Sequence, residues 1–190
     1  GSGVPAVGDA SFVIGFLKTL INQGSIESLA SGRTLSIQSN GSFTNQGVVG
    51  GGAGNISVNP TTITNYVPAA FSLTGGTWNA TNGSLTLGSR SIRTIGAGTD
   101  VVIAGASNSI PNLSGLALNL GTLRIGGRTL TIAPASGTFA QSGFLELGSG
   151  GALQVTGGMT AGAASTLRVH VGGIGPGEFG TLTATEAMAL

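Results

Sequence analysis

Few side chains in this chain can do chemistry, and their spacing builds none of the usual centres. His170 is the single histidine, held between Val169 and Val171, and there is no cysteine among the 190 residues. A zinc centre draws its donors mainly from His and Cys, so a lone imidazole cannot complete one. Without thiols there is also no disulfide and no thiolate nucleophile. Alternation with two valines makes His170 an outward, solvated position on a strand. Six carboxylates remain: Asp9, Glu27, Asp100, Glu146, Glu178 and Glu186. None forms the Asp-x-Asp spacing of a calcium loop. Sugar cleavage needs two carboxyls about 5–9.5 Å apart. On a coiled repeat this means acids one coil or one face apart, and only Glu178 and Glu186 come near the second spacing. The run Gly172-Gly173-Ile174-Gly175-Pro176-Gly177 lacks the Lys-Ser/Thr of a phosphate loop and reads as a turn. The sequence therefore assigns no catalytic, cofactor-binding or metal-ligating residue, and it implies no cofactor.

Binding groups are more plentiful. Trp78 and Tyr66 are the aromatic side chains that could carry a sugar, but Trp78 sits in an inward phase and reads as core. Asn40, Asn55, Asn79, Asn82 and Asn112 match the Asn-x-Ser/Thr pattern, as a chain rich in those residue types does by composition. Thr-x-Thr pairs at Thr62/Thr64, Thr129/Thr131, Thr181/Thr183 and Thr183/Thr185 suggest a water-ordering array of the ice-binding kind. The rung that matches Thr129-Leu130-Thr131 is Ala152-Leu153-Gln154, so the array does not recur from coil to coil.

Composition narrows the classes further. Seven basic and six acidic residues give a net charge of +1, which removes a general nucleic-acid or polybasic-membrane role. Hydrophobic residues make up 40% of the chain and mean hydropathy is +0.39, unlike a disordered segment. No apolar run approaches the ~18 residues of a membrane helix. The longest apolar-rich patch, residues 12–21, is broken by Gly15, Lys18 and Thr19.

The elements that hold these residues repeat. Asn22-Gln23-Gly24 returns as Asn45-Gln46-Gly47, and each copy leads into a short alternating strand, Leu35-Ser36-Ile37 and Ile56-Ser57-Val58. Ser42-Phe43-Thr44-Asn45-Gln46-Gly47 returns as Thr138-Phe139-Ala140-Gln141-Ser142-Gly143, with a weaker copy beginning Thr77-Trp78. Apolar–x–apolar units, the period of a strand, recur along the chain at Leu85/Leu87, Leu123/Ile125, Leu130/Ile132, Leu145/Leu147, Leu153/Val155 and Leu167/Val169. Equivalent units fall about 22 residues apart, with about three short strands per period. That is the arithmetic of a parallel β-helix, in which every strand pairs with its equivalent one coil away. A β-sandwich also has short strands but needs no such period. The 36 glycines fit tight corners. Between the inward residues stand Arg124, Glu146 and Arg168, which the period stacks into an exposed ladder of alternating charge, worth at most about 1 kcal/mol per pair.

The N-terminal stretch reads differently. Phe12, Val13, Phe16, Leu17, Leu20 and Ile21 form an amphipathic helical stripe, with Asp9 as N-cap and Gly24 as stop. Gly1-Ser2-Gly3 has the look of a tag remnant. Residues 1–21 are thus expected to be tag remnant plus a helical cap, and residues 22–190 the solenoid. Its C-terminal end carries no polar cap, so it is expected to be truncated or continued by a partner.

The Asn-Gln-Gly repeats, with the tail from Ser165 through Gly173 and from Pro176 to Leu182, resemble bacterial secreted repeat solenoids. Autotransporter passenger domains and filamentous-haemagglutinin-like surface proteins are of this kind. The resemblance implies a right-handed parallel β-helix, export, and roles in adhesion or surface scaffolding. The expectation is an all-β solenoid without enzymatic activity, extracellular or at the cell surface, acting as stalk, adhesin or fibre subunit. End-to-end self-association and a surface glycan or protein receptor are the expected partners, without nucleic acid or membrane insertion. The alternative is a carbohydrate-binding or polysaccharide-processing β-helix.

Overall fold

A strand that buries every second residue leaves both backbone edges unpaired, and another copy of itself one coil away satisfies them. The computed structural model describes residues 12–16, 18–106, 108–173, 175 and 177–190 and takes this solution at every strand pair but the antiparallel one between Tyr66–Val67 and Ser72–Leu73. Its strands stack in parallel as a β-solenoid of about seven turns. The most regular face runs through Ser25–Ile26, Val48–Gly50, Thr77–Thr81, Asp100–Ala104, Thr122–Gly126, Phe144–Leu147 and Thr166–Val169. Ile26, Val49, Trp78, Val101, Leu123, Leu145 and Leu167 share one column in register. From Val49 to Leu145 every member is completely buried, each apolar side chain contributing about 1.5–3 kcal/mol by leaving water. Trp78 belongs to this core, as its phase requires, and its indole N–H donates to the Gly75 carbonyl at 3.0 Å.

The second face runs from Ser72–Leu73 through Thr94–Ile95, Leu118–Asn119, Thr138–Gln141 and Gly158–Ala161 to Met188–Ala189. The corner that leads into the first face explains the Asn-Gln-Gly repeat. The Asn22 amide donates to Asn45 Oδ1 at 2.9 Å and to the Val48 carbonyl at 2.9 Å. Asn45 donates to the Thr77 carbonyl, and Asn119 to Gln141 Oε1 and the Phe144 carbonyl. Val48, Thr77 and Phe144 each open a strand of the first face, so buried amides tie that face across coils to the strands before it, Thr19–Asn22 and Thr34–Asn45 in the early coils and Leu118–Asn119 later. The glycine that follows is needed for close approach: a Cβ on Gly47 would collide with the Gly24 carbonyl, and one on Gly143 with that of Gly121. Thr77-Trp78 is not a copy of this corner. It lies within the first face, whereas Phe43 and Phe139 both precede a corner that leads into that face.

The third face has two parts. Phe12–Phe16, Thr34–Asn45, Asn55–Ile63 and Leu85–Thr86 form the upper one, and Thr129–Ile132, Ala152–Val155 and Thr181–Ala184 the lower. Thr129 lies opposite Ala152 and Thr131 opposite Gln154, so the Thr pairs do not extend into an array.

The expected N-terminal helix is corrected by the structure. Phe12–Phe16 and Thr19–Asn22 are strands laid parallel on Thr34–Asn45, with Ile14 opposite Ile37 and Leu20 opposite Phe43. Asp9 and Leu17 lie outside the described residues. Val13 and Ile21 are each about half exposed while Ile14 and Leu20 pack on the core. Apolar residues on both sides of two short strands therefore mimicked a helical stripe. β-Branched Val13, Ile14, Thr19 and Ile21 suit the pleat, and the edge of Thr34–Asn45 gains ladder partners that a helix would not supply. Among the described residues the helical elements are two 3-10 turns, Pro68–Ala70 and Pro111–Leu113.

Candidate functional site

A solenoid face is flat wherever its ladder is regular, so a concave site requires the ladder to break. The coil between Val48 and Thr77 is longer than its neighbours. Its surplus folds into a hairpin, Tyr66–Val67 paired antiparallel with Ser72–Leu73 through the 3-10 turn Pro68–Ala70. Pro68 suits the first position of that turn, and Phe71 closes it in the left-handed region at φ 49°. The Arg93 guanidinium lies 4.4 Å from the Phe71 ring centre. Nearby, the pairing of Thr34–Asn45 with Asn55–Ile63 slips between Ser39 and Ser42. These two irregularities open a groove of about 640 Å³ lined by Asn40, Asn59, Thr61, Tyr66, Ser89 and Arg90, among others.

One wall, residues 87–91, is fixed from several sides. Asn112 donates to the carbonyls of Gly88 and Arg90 and accepts from the Leu87 N–H. The Tyr66 hydroxyl donates to the Ser91 carbonyl at 2.9 Å. Arg90 reaches across the groove, where Nη2 donates to Pro60 O at 2.7 Å and to Thr61 O at 3.3 Å, and Nη1 to Leu87 O at 3.4 Å. All three acceptors are carbonyls, and no carboxylate pairs with Arg90 among the described residues. Burial draws its pKa below the ordinary arginine value, against a smaller opposing pull from Tyr66. The guanidinium remains cationic at neutral pH, so the groove holds a positive charge matched only by dipoles.

The residues singled out in the sequence fall elsewhere. His170 is exposed. Glu178 Oε2 accepts the Gly175 N–H at 2.7 Å, and the Gly172 N–H bonds back to the Glu178 carbonyl, so the described glycines 172 and 175 fold back on Glu178, while Ile174 and Pro176 lie outside the described residues. Glu27 accepts from Ser25 Oγ. Arg124, Glu146 and Arg168 stack in the expected register, with contacts of 3.4 and 3.5 Å to Glu146. Asp100 joins that ladder at Arg124. It stands opposite Thr122, diagonal to Arg124, which a straight 22-residue register does not reveal. Among the described residues no three His, Asp or Glu side chains gather as a metal site, and no helix is long and apolar enough to cross a membrane.

No protein-family model matches the chain. Comparison with curated proteins and with solved structures likewise finds no match. Of the two sugar-platform candidates, Tyr66 lines the groove and Trp78 does not. Sequence reasoning missed Arg90, because the groove joins side chains from three successive coils and no local motif marks it.

Proposed function

We propose that this chain is a non-enzymatic structural and adhesive β-solenoid segment of a bacterial exported protein, extracellular or at the cell surface, with the right-handed coil of the solenoids it resembles. Its building step is end-to-end stacking on a second copy. The observation that supports this reading most is the last described coil. Leu167, Val169 and Met188 continue the columns of Leu145, Leu147 and Met159, yet they are 36%, 41% and 45% exposed. Inward positions with this much exposed apolar surface fit another coil of the same spacing. Charge favours a second copy. Arg168 ends the ladder at 65% side-chain exposure, and at the opposite end Glu27 follows Ile26, the first residue of the neighbouring apolar column. Head-to-tail stacking continues the alternation Arg124, Glu146, Arg168 with Glu27 of the second copy.

Electron microscopy over a concentration series tests this. Filaments one solenoid wide with a ~4.8 Å axial spacing are expected, and isolated particles at every concentration would overturn the stacking. Incubation with a polysaccharide panel tests the non-enzymatic assignment, which the appearance of new reducing ends would overturn.

The groove favours a second reading, carbohydrate binding. It combines an aromatic side chain, exposed amides at Asn40 and Asn59, and hydroxyls at Thr61 and Ser89, the mixture that takes up alternating apolar faces and hydroxyl groups of a sugar.

A further inference from the structure

The groove at Tyr66 contains a charge that the described residues leave without a counterion. Arg90 is partly buried, touches three carbonyls and meets no carboxylate among the described residues. Of its five N–H donors, those three bonds engage three. A neutral sugar would displace water from around this cation and return only neutral acceptors, whereas an anionic group returns a charge-assisted bond. The surroundings hold the cation in place: Asn112 fixes the backbone of residues 88–90 from the next coil, and Tyr66 fixes Ser91. A site pre-set in this way loses little entropy when a ligand enters. At about 640 Å³ the groove falls within the range of small-ligand sites. Around the cation, Asn40, Asn59, Thr61 and Ser89 supply short polar groups, while Tyr66 and Pro68 supply apolar surface.

We propose that this groove binds an acidic saccharide, its carboxylate set against Arg90 and its sugar ring against Tyr66. The proposal rests on reading the groove as a carbohydrate site and adds the class of sugar.

The test compares two ligands on the unaltered protein: a hexuronic-acid trimer and the same trimer with its carboxyl groups reduced to alcohols. Binding is followed by amide chemical shifts. The expected result is saturable binding of the uronate trimer with shifts at Asn59, Thr61, Tyr66 and Ser89, and affinity at least about tenfold lower for the reduced trimer. The preference should shrink as salt is added, and it should vanish in Arg90→Gln while the folded spectrum persists. Equal affinity for both trimers would overturn the acidic assignment and leave carbohydrate binding standing. No binding of either by a folded protein would overturn both. Shifts confined to another face would overturn the placement. Tyr66→Ala should weaken both trimers alike, and an unchanged affinity in that variant would remove the ring from the site.

Discussion

At Gly88 the backbone turns with φ +58°, and a Cβ there would collide with Asn59 Oδ1. This single position therefore sets both the turn of one groove wall and the distance to the other. Gly88→Ala is expected to lower stability by about 1–2 kcal/mol from the left-handed backbone alone, read as a lower denaturant midpoint, and to displace the Asn59 amide shift. Asn45 is the corresponding residue for the fold. It is 1% exposed, and its side chain accepts from the Asn22 amide and the Gly47 N–H and donates to the Thr77 carbonyl. Asn45→Ala strands buried partners in two coils and should cost about 1–3 kcal/mol in chemical denaturation.

Among the elements, the amide corner and the charge ladder differ in weight. The Asn119–Gln141 corner stops short, because Gln141 Nε2 is buried without an acceptor and Ala161 stands opposite it in the next coil. Ala161→Asn offers the missing oxygen and should raise stability by about 1 kcal/mol, seen as a higher melting temperature. Glu146→Gln, by contrast, breaks contacts among partly exposed side chains. It should cost no more than about 1 kcal/mol, a loss that fades as salt is added. These elements were largely legible in the sequence. Leu123, Leu145 and Leu167 announced their column because period-2 alternation and a near-constant coil length each leave a trace in the sequence. Residues 12–21 misled because two short strands with apolar residues on both sides share the spacing of a helix. Gly15 and the β-branched residues were the contrary signal. Asn45 was visible as a repeat, but its reason, an amide reaching the next coil's carbonyl, depends on the corner geometry.

For the molecule as a whole, function follows from where regularity is kept and where it is lost. The regular ladder of the first face leaves inward side chains partly exposed at its last described coil, the surface that the proposed stacking would cover. The longer coil around Tyr66 breaks one face and creates a groove, which no local pattern could signal because its walls come from separate coils. In the proposed assembly one copy continues the ladder of another, with Arg168 set against Glu27 of the second copy. Sedimentation over a concentration series, run on the natural chain, on Arg168→Glu, and on Arg168→Glu combined with Glu27→Arg, tests it most directly. Growing assemblies are expected from the natural chain, with their loss in Arg168→Glu and their return in the double variant. A natural chain that sediments as a monomer at every concentration, or assemblies indifferent to Arg168→Glu, would contradict it.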